Sequence, residues 1–90
     1  MSKVIQKVSD RPWAAFVEAE GKYYYIDSCY TLDHGLETMV FEVENLKKAT
    51  KTVAEGIDWG GIYEETYETT DDMVKNHQFL LENLESVLKK

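Results

Sequence analysis

Two histidines, His34 and His77, and a single cysteine, Cys29, are the side chains in this sequence best suited to acid–base, nucleophilic or metal chemistry. His34 lies in the turn-like segment TLDHG, and His77 lies on the apolar stripe of a predicted helix. The sequence has no H-x-x-x-H or H-E pattern, and a histidine on an apolar helix face is more often a packed core residue than a ligand. We therefore predict no enzymatic activity, and keep catalysis by His77, with or without Cys29, as a third hypothesis.

Motifs for cofactors are missing from the sequence. The segment WGGIY at 59–63 lacks the Lys, the Ser or Thr and the strand-to-helix context of a phosphate-binding loop. One cysteine can form neither an internal disulfide nor a cysteine-based zinc site. We expect no cofactor, no metal and a reducing compartment.

The stretch EGIDWGGIYEETYETTDD, residues 55–72, contains seven acidic residues and no basic one. Carboxylates pair with Arg and Lys, so an acidic patch with interleaved aromatic residues could occupy a basic, nucleic-acid-binding groove on another protein. Alternatively, each acid has a local role on the solvent side of a strand or in the first turn of a helix. The candidate partner-binding residues are Glu55, Asp58, Trp59, Tyr63, Glu64, Glu65 and Glu68.

The net charge of the chain is −7, from 17 acidic and 10 basic residues. This balance argues against direct binding to nucleic acid or to an anionic membrane, both of which need patches of Lys and Arg. It is compatible with a protein partner that has a basic surface. The sequence has no apolar run of half a membrane span, and its start, MSKVIQKVSD, has no signal-peptide core, so we expect a cytoplasmic protein.

Aromatic residues are concentrated in the predicted strands and loops. Exposed Tyr and Trp mark interfaces, whereas the alternative is that they fill a small core and a homodimer interface. They also support a second hypothesis of a different class, in which the protein sequesters a small molecule such as a nucleotide at an oligomer interface. The candidate ligand-binding residues of this second hypothesis are Tyr24, Tyr30, Trp59, Lys47 and Lys51.

Ninety residues are enough for one domain, 1–90, and its first half reads as strands. The runs WAAFVEAE (13–20) and KYYYIDSCY (22–30), joined at Gly21, predict a β-hairpin. A third strand is expected at 36–43, with Met39, Phe41 and Val43 on the core face. Val4 to Val8 is a possible edge strand.

The second half predicts one long helix. After a short helix or ordered loop at 45–55, the segment DWGG at 58–61 predicts a turn, and 62–68 predicts a short strand. Thr69 can cap a helix from about 70 to 89, whose apolar residues recur at steps of three and four. The predicted class is α+β: a small antiparallel sheet of three to four strands, with an N-terminal hairpin, packed against this helix.

Part of this pattern resembles a group of small proteins encoded by tailed bacteriophages and prophages. The resemblance rests on ETMVF at 37–41, on Tyr67 and Thr69 in a Y-x-T motif, and on Met73 four residues before His77. It covers roughly the second half of the chain. It implies a phage origin and the cytoplasm of a bacterial host, and it implies no particular activity.

This chain departs from that group at Met73, where a small residue is common, at Asn76, where a Gly is common, and in the insert at 45–56. From the resemblance and the charge together we predict a small acidic phage protein that binds a host protein without catalysis. An inhibitor of a host defence factor or of a nucleic-acid-handling factor would fit these properties.

Overall fold

The computed structural model describes residues 2–8, 13–51 and 55–88. Within them, each strand pairs antiparallel with the next strand along the chain. The long C-terminal helix packs on one face of this sheet, which confirms the α+β class and the N-terminal hairpin. The described elements are β1 (Lys3–Lys7), β2 (Ala14–Ala19), β3 (Lys22–Thr31), β4 (Gly35–Val43), α1 (Leu46–Lys51), β5 (Ile57–Tyr67) and α2 (Thr70–Leu88). The described sheet therefore has five strands, not the three to four predicted.

The turn between β2 and β3 forms where the sequence predicts it. Ala19 pairs with Lys22, so the loop is the two-residue unit Glu20-Gly21. Both residues have positive φ, 52° and 81°, which is the geometry of a type I′ turn. This turn matches the twist of the paired strands and fixes their register.

Both faces of the central strands are buried, one beneath α2 and the other in a cluster to which α1 contributes. On one face α2 covers Ile26 and Val40, which are fully buried. On the other face Tyr25 and Phe41 pack with α1, through Ala49. The predicted core face of β4 is therefore buried, but it is not the face that contacts α2.

The DWGG segment does not turn the chain, so the last strand is longer than the short strand predicted at 62–68. Val40 pairs with Tyr63 and Glu42 pairs with Asp58, so four residues of β5 bulge opposite one residue of β4. Within this bulge the ring of Trp59 packs against the ring of Phe41, with centroids 4.9 Å apart. The gain in aromatic packing keeps the segment in the sheet, and β5 begins at Ile57 rather than at 62.

Helix α1 is short, and local contacts around Asn45 hold its N-terminal end. The backbone N–H of Lys48 donates to Asn45 Oδ1 at 3.1 Å, which caps the helix. Gly56 follows with a φ of +76°, and a Cβ there would collide with the carbonyl oxygen of Asn45. Residues 52–54 of the predicted helical segment lie outside the described residues.

Helix α2 begins where the sequence predicts it. The N–H of Asp72 donates to Thr69 Oγ1 at 3.2 Å, so Thr69 is the cap. Met73, His77, Leu80 and Leu84 form its buried stripe. The predicted last residue, 89, lies outside the described residues. No helix in the described part of the chain is long and apolar enough to cross a membrane.

Near its C-terminal end α2 is bent around Ser2. Asn83 has non-helical backbone angles, φ −134° and ψ 31°. The N–H of Leu84 donates to Ser2 Oγ at 3.1 Å, and Ser2 Oγ donates to the carbonyl of Leu81 at 2.8 Å. A hydroxyl inserted into the helical hydrogen-bond ladder explains the kink, and it ties the start of the chain to α2.

Candidate functional site

The acidic stretch becomes the outer strand of the sheet. Strand β5 is last in the strand order, so one of its edges has no strand partner in the described part of the chain. The apolar side chains of Trp59 and Ile62 are 49% and 46% exposed on this strand. We call this surface the acidic edge; its exposed carboxylates are those of Glu55, Asp58, Glu64, Glu65 and Glu68.

The charge of the acidic edge is not balanced within the described part of the chain. No described Lys or Arg side chain forms an ion pair with Glu64, Glu65 or Glu68. Asp58 lies directly opposite Glu42 on β4. Like charges at opposed positions destabilise a sheet, so this pairing has an energetic cost.

The aromatic candidates of the acidic stretch divide between the two faces of the sheet. Trp59 packs on the α1 face, against Phe41. Tyr63 lies on the α2 face, where it is half-buried and Asn76 Nδ2 donates to its hydroxyl at 3.2 Å. Burial raises the pKa of Tyr63, and the hydrogen bond from Asn76 acts in the opposite direction. Tyr63 therefore fixes β5 against α2, while the carboxylates and Trp59 supply the exposed surface.

The residues of the nucleotide hypothesis are not brought together within one chain. Tyr24 is 8% exposed beneath α2, where burial, followed by the charges of nearby glutamates, raises its pKa. Tyr30 is 67% exposed, and Trp59 lies on the opposite face from Tyr24. Lys47 is exposed, and the side chain of Lys51 lies outside the described residues.

A second group of polar side chains is buried between the sheet and α2. His77 is 2% exposed, and its Nδ1 lies 2.7 Å from Ser28 Oγ. Ser28 Oγ lies 2.6 Å from Thr38 Oγ1, which accepts a hydrogen bond from Tyr67 Oη at 3.1 Å. Asn76 Nδ2 donates to Tyr67 Oη in turn. These five residues form a continuous hydrogen-bond chain, which is buried at His77, Ser28 and Thr38 and partly buried at Tyr67 and Asn76.

The direction of donation along this chain fixes the tautomer of His77. Thr38 is buried and accepts from Tyr67, so the one described acceptor left for its own hydroxyl proton is Ser28 Oγ; the proton of Ser28 then goes to Nδ1 of His77. Nδ1 is thus the acceptor, and the proton of the neutral ring is on Nε2. Burial lowers the pKa of His77 from 6.5 to about 4, which is consistent with a neutral ring.

Ser28 and His77 lie at the distance of a nucleophile and its general base. Both side chains are buried, and their contact satisfies the hydrogen bonding of two buried polar groups. Ser28 is 4% exposed and is covered by α2. Cys29 follows Ser28 in the same strand and points to the opposite face, away from His77. His34 lies in the β3–β4 turn, where Nδ1 is 3.5 Å from Glu37 Oε2.

No three described His, Cys, Asp or Glu side chains lie close enough together to hold a metal ion. Comparisons with protein-family models, with curated proteins and with solved structures found no match to this chain.

Sequence reasoning missed the buried polar chain, although one signal for it was present. Ser28 and Thr38 occupy the same face of their strands as Ile26 and Val40. Two small polar residues in a buried register need partners, and a histidine on the facing helix could supply one. That inference needs the pairing of residue 28 with residue 38, which the sequence alone does not provide.

Proposed function

We propose that this protein acts by binding a basic segment of a partner protein along the acidic edge, without catalysis. The observation that carries the proposal is the combination of a strand edge that pairs with no described strand and exposed carboxylates that no described base neutralises. A strand edge presents backbone N–H and C=O groups, and an extended segment can add to it as a further strand.

Carboxylates flank this edge on both faces of the sheet. Glu64 pairs with Met39 and lies on the α1 face, while Glu65 pairs with Thr38 and lies on the α2 face. An added strand also alternates its side chains between the two faces. Lys or Arg at successive positions of that strand would therefore each meet a carboxylate.

The same charges disfavour a second copy of this chain as the occupant. Two β5 strands paired edge to edge would bring like-charged glutamates together, which destabilises cross-strand pairs. Exposed acids on an edge strand also guard against self-association. A basic partner converts this repulsion into attraction and can use Trp59 and Ile62 as apolar contacts.

The phage resemblance extends the proposal to the biological partner. A phage protein expressed in a bacterial cytoplasm would meet host proteins that bind nucleic acid through basic surfaces. Competition for such a surface by carboxylates would inhibit a host defence or nucleic-acid-handling factor.

A pull-down from bacterial lysate tests the proposal. The double variant E64K/E65K changes the formal net charge from −7 to −3, because each substitution adds two positive charges. The control D33K/E82K makes the same change at two exposed positions outside β5. We expect a bound protein that is retained by the wild type and the control and lost by E64K/E65K. Equal retention by all three proteins would contradict the proposal.

A further inference from the structure

A small cavity lies near the β1 edge of the sheet, far in strand order from the acidic edge. It lies between β1, β2 and α2 and has a volume of about 80 Å³. Ala14 and Ala15 of β2 form part of its wall. Four of the lining residues have side chains that can form hydrogen bonds: Lys7, Trp13, His77 and Gln78.

His77 lines this cavity beside Trp13, with the two ring centroids 5.8 Å apart in an edge-to-face contact, and one of its ring nitrogens forms no hydrogen bond within the described residues. Nδ1 is occupied by Ser28, and Nε2 has no hydrogen-bond partner among the described residues. Nε2 is also not fully enclosed by the surrounding atoms. It therefore retains contact with open space, and the cavity is a space that His77 lines.

Hydrogen-bond donors dominate the lining. The hydrogen-bond chain through Ser28 places the proton of His77 on Nε2, so this nitrogen donates. The indole of Trp13 and the ammonium group of Lys7 can only donate, and the amide of Gln78 can do either. A cavity lined by donors and one cation is complementary to a small anion that is rich in acceptors.

We propose that this cavity is a binding site for a small monocarboxylate of the size of acetate or propionate. One carboxylate oxygen accepts from Nε2 of His77, and the other accepts from the indole N–H of Trp13. Lys7, which is exposed at the end of β1, supplies the positive charge.

The volume selects this class of ligand. A water molecule occupies about 30 Å³ in the liquid, so the cavity has room for two or three waters. A two- or three-carbon acid displaces a similar volume, whereas a nucleotide or a sugar is too large. Because the chain has a net charge of −7, long-range repulsion weakens the binding of any anion, and we expect a weak complex.

Nuclear magnetic resonance of the two tryptophan indole N–H groups tests the site. Acetate is titrated into the full-length protein at constant ionic strength, with chloride as the replaced ion. Trp13 lies at the cavity, while Trp59 packs on the opposite face of the sheet and serves as an internal reference. Acetamide, which has nearly the same shape and no charge, serves as the matched ligand.

We expect the indole signal of Trp13 to shift to saturation with acetate, and the signal of Trp59 to stay in place. Lys7→Gln should weaken the affinity for acetate about fivefold, because it removes one partly exposed charge. Lys3→Gln makes the same charge change on the same strand away from the cavity and should leave the affinity unchanged.

Three results would overturn the proposal: no saturable shift at Trp13, an equal shift with acetamide, or an equal loss of affinity in both lysine variants. The acidic edge is at the other side of the sheet, so none of these results bears on the proposed binding of a basic partner.

Discussion

Ser28 on β3 and His77 on α2, which are 49 residues apart in the sequence, are joined by a buried hydrogen bond of 2.7 Å. The bond links the middle of the sheet to the helix that covers it. Burial lowers the pKa of the imidazole and keeps it neutral, with Nδ1 as the acceptor of this bond, so the stability of the fold depends on the protonation of the ring.

The first prediction concerns pH. The pKa of His77 is lowered from 6.5 to about 4 in the folded protein, so between these values the unfolded chain binds more protons than the folded one. Folding stability should fall as the pH falls through this window, by up to about 3 kcal/mol from this residue. Urea unfolding at a series of pH values measures the loss. His77→Gln should remove this part of the pH dependence, and an unchanged profile in the variant would be inconsistent with our assignment.

The second prediction concerns Thr38, which links Ser28 to Tyr67 and is fully buried. Thr38→Val keeps the shape of the side chain and removes both hydrogen bonds, leaving Ser28 and Tyr67 each with a missing partner. We expect the free energy of unfolding to fall by about 1–3 kcal/mol in a denaturant titration. Thr66→Val on the exposed face of β5 is the control and should change it by less than about 0.5 kcal/mol. Equal effects would remove the case for an energetically coupled chain.

The third prediction concerns Ser2 and the bend in α2. Ser2→Ala removes the hydroxyl that accepts from the N–H of Leu84 and donates to the carbonyl of Leu81. We expect faster hydrogen exchange at the Leu84 amide and a loss of about 1 kcal/mol in stability. Ser86→Ala, at an exposed position of the same helix, should leave the exchange of Leu84 unchanged. If both variants exchange like the wild type, the inserted hydroxyl does not stabilise the bend.

The fourth prediction concerns Gly61 in the β5 bulge, which has a φ of +68°. A Cβ at this position would lie 3.0 Å from the flexible end of Met39, which can shift, so the strain of Gly61→Ala is in the backbone. We expect a loss of about 1–2 kcal/mol in thermal or urea unfolding. Gly60→Ala is the neighbouring control, because Gly60 has no positive φ and its nearest neighbour is the flexible side chain of Asp58. A larger loss for Gly60→Ala would show that the bulge is held differently.

Features with a local cause could be predicted from the sequence. The Glu20-Gly21 turn and the Thr69 cap depend on residues within a few positions of each other, and both are where the sequence places them. The spacing of the apolar residues likewise predicts the buried stripe of α2, and His77 on that stripe is packed in the core.

Features with a tertiary cause could not be predicted. The segment around Trp59 has the composition of a turn, and its place within β5 depends on packing against Phe41 from another strand. Both faces of β4 contain apolar residues because two helices cover the sheet, so alternation could not select one buried face. At the candidate site, strand alternation places Tyr63 and Glu64 on opposite faces of the sheet. The position of α2 is needed to show that Tyr63 is on the covered face.

Hydrogen exchange of the complex captured from lysate tests the central claim most directly, because it locates the partner on one edge of the sheet. Strand β1 forms the opposite edge of the sheet and carries the basic residues Lys3 and Lys7, so the exchange of its amides serves as the internal control. We predict slower exchange of the β5 amides in the bound protein and unchanged exchange in β1. Protection confined to β1 or to α2, with β5 exchanging as in the free protein, would contradict binding at the acidic edge.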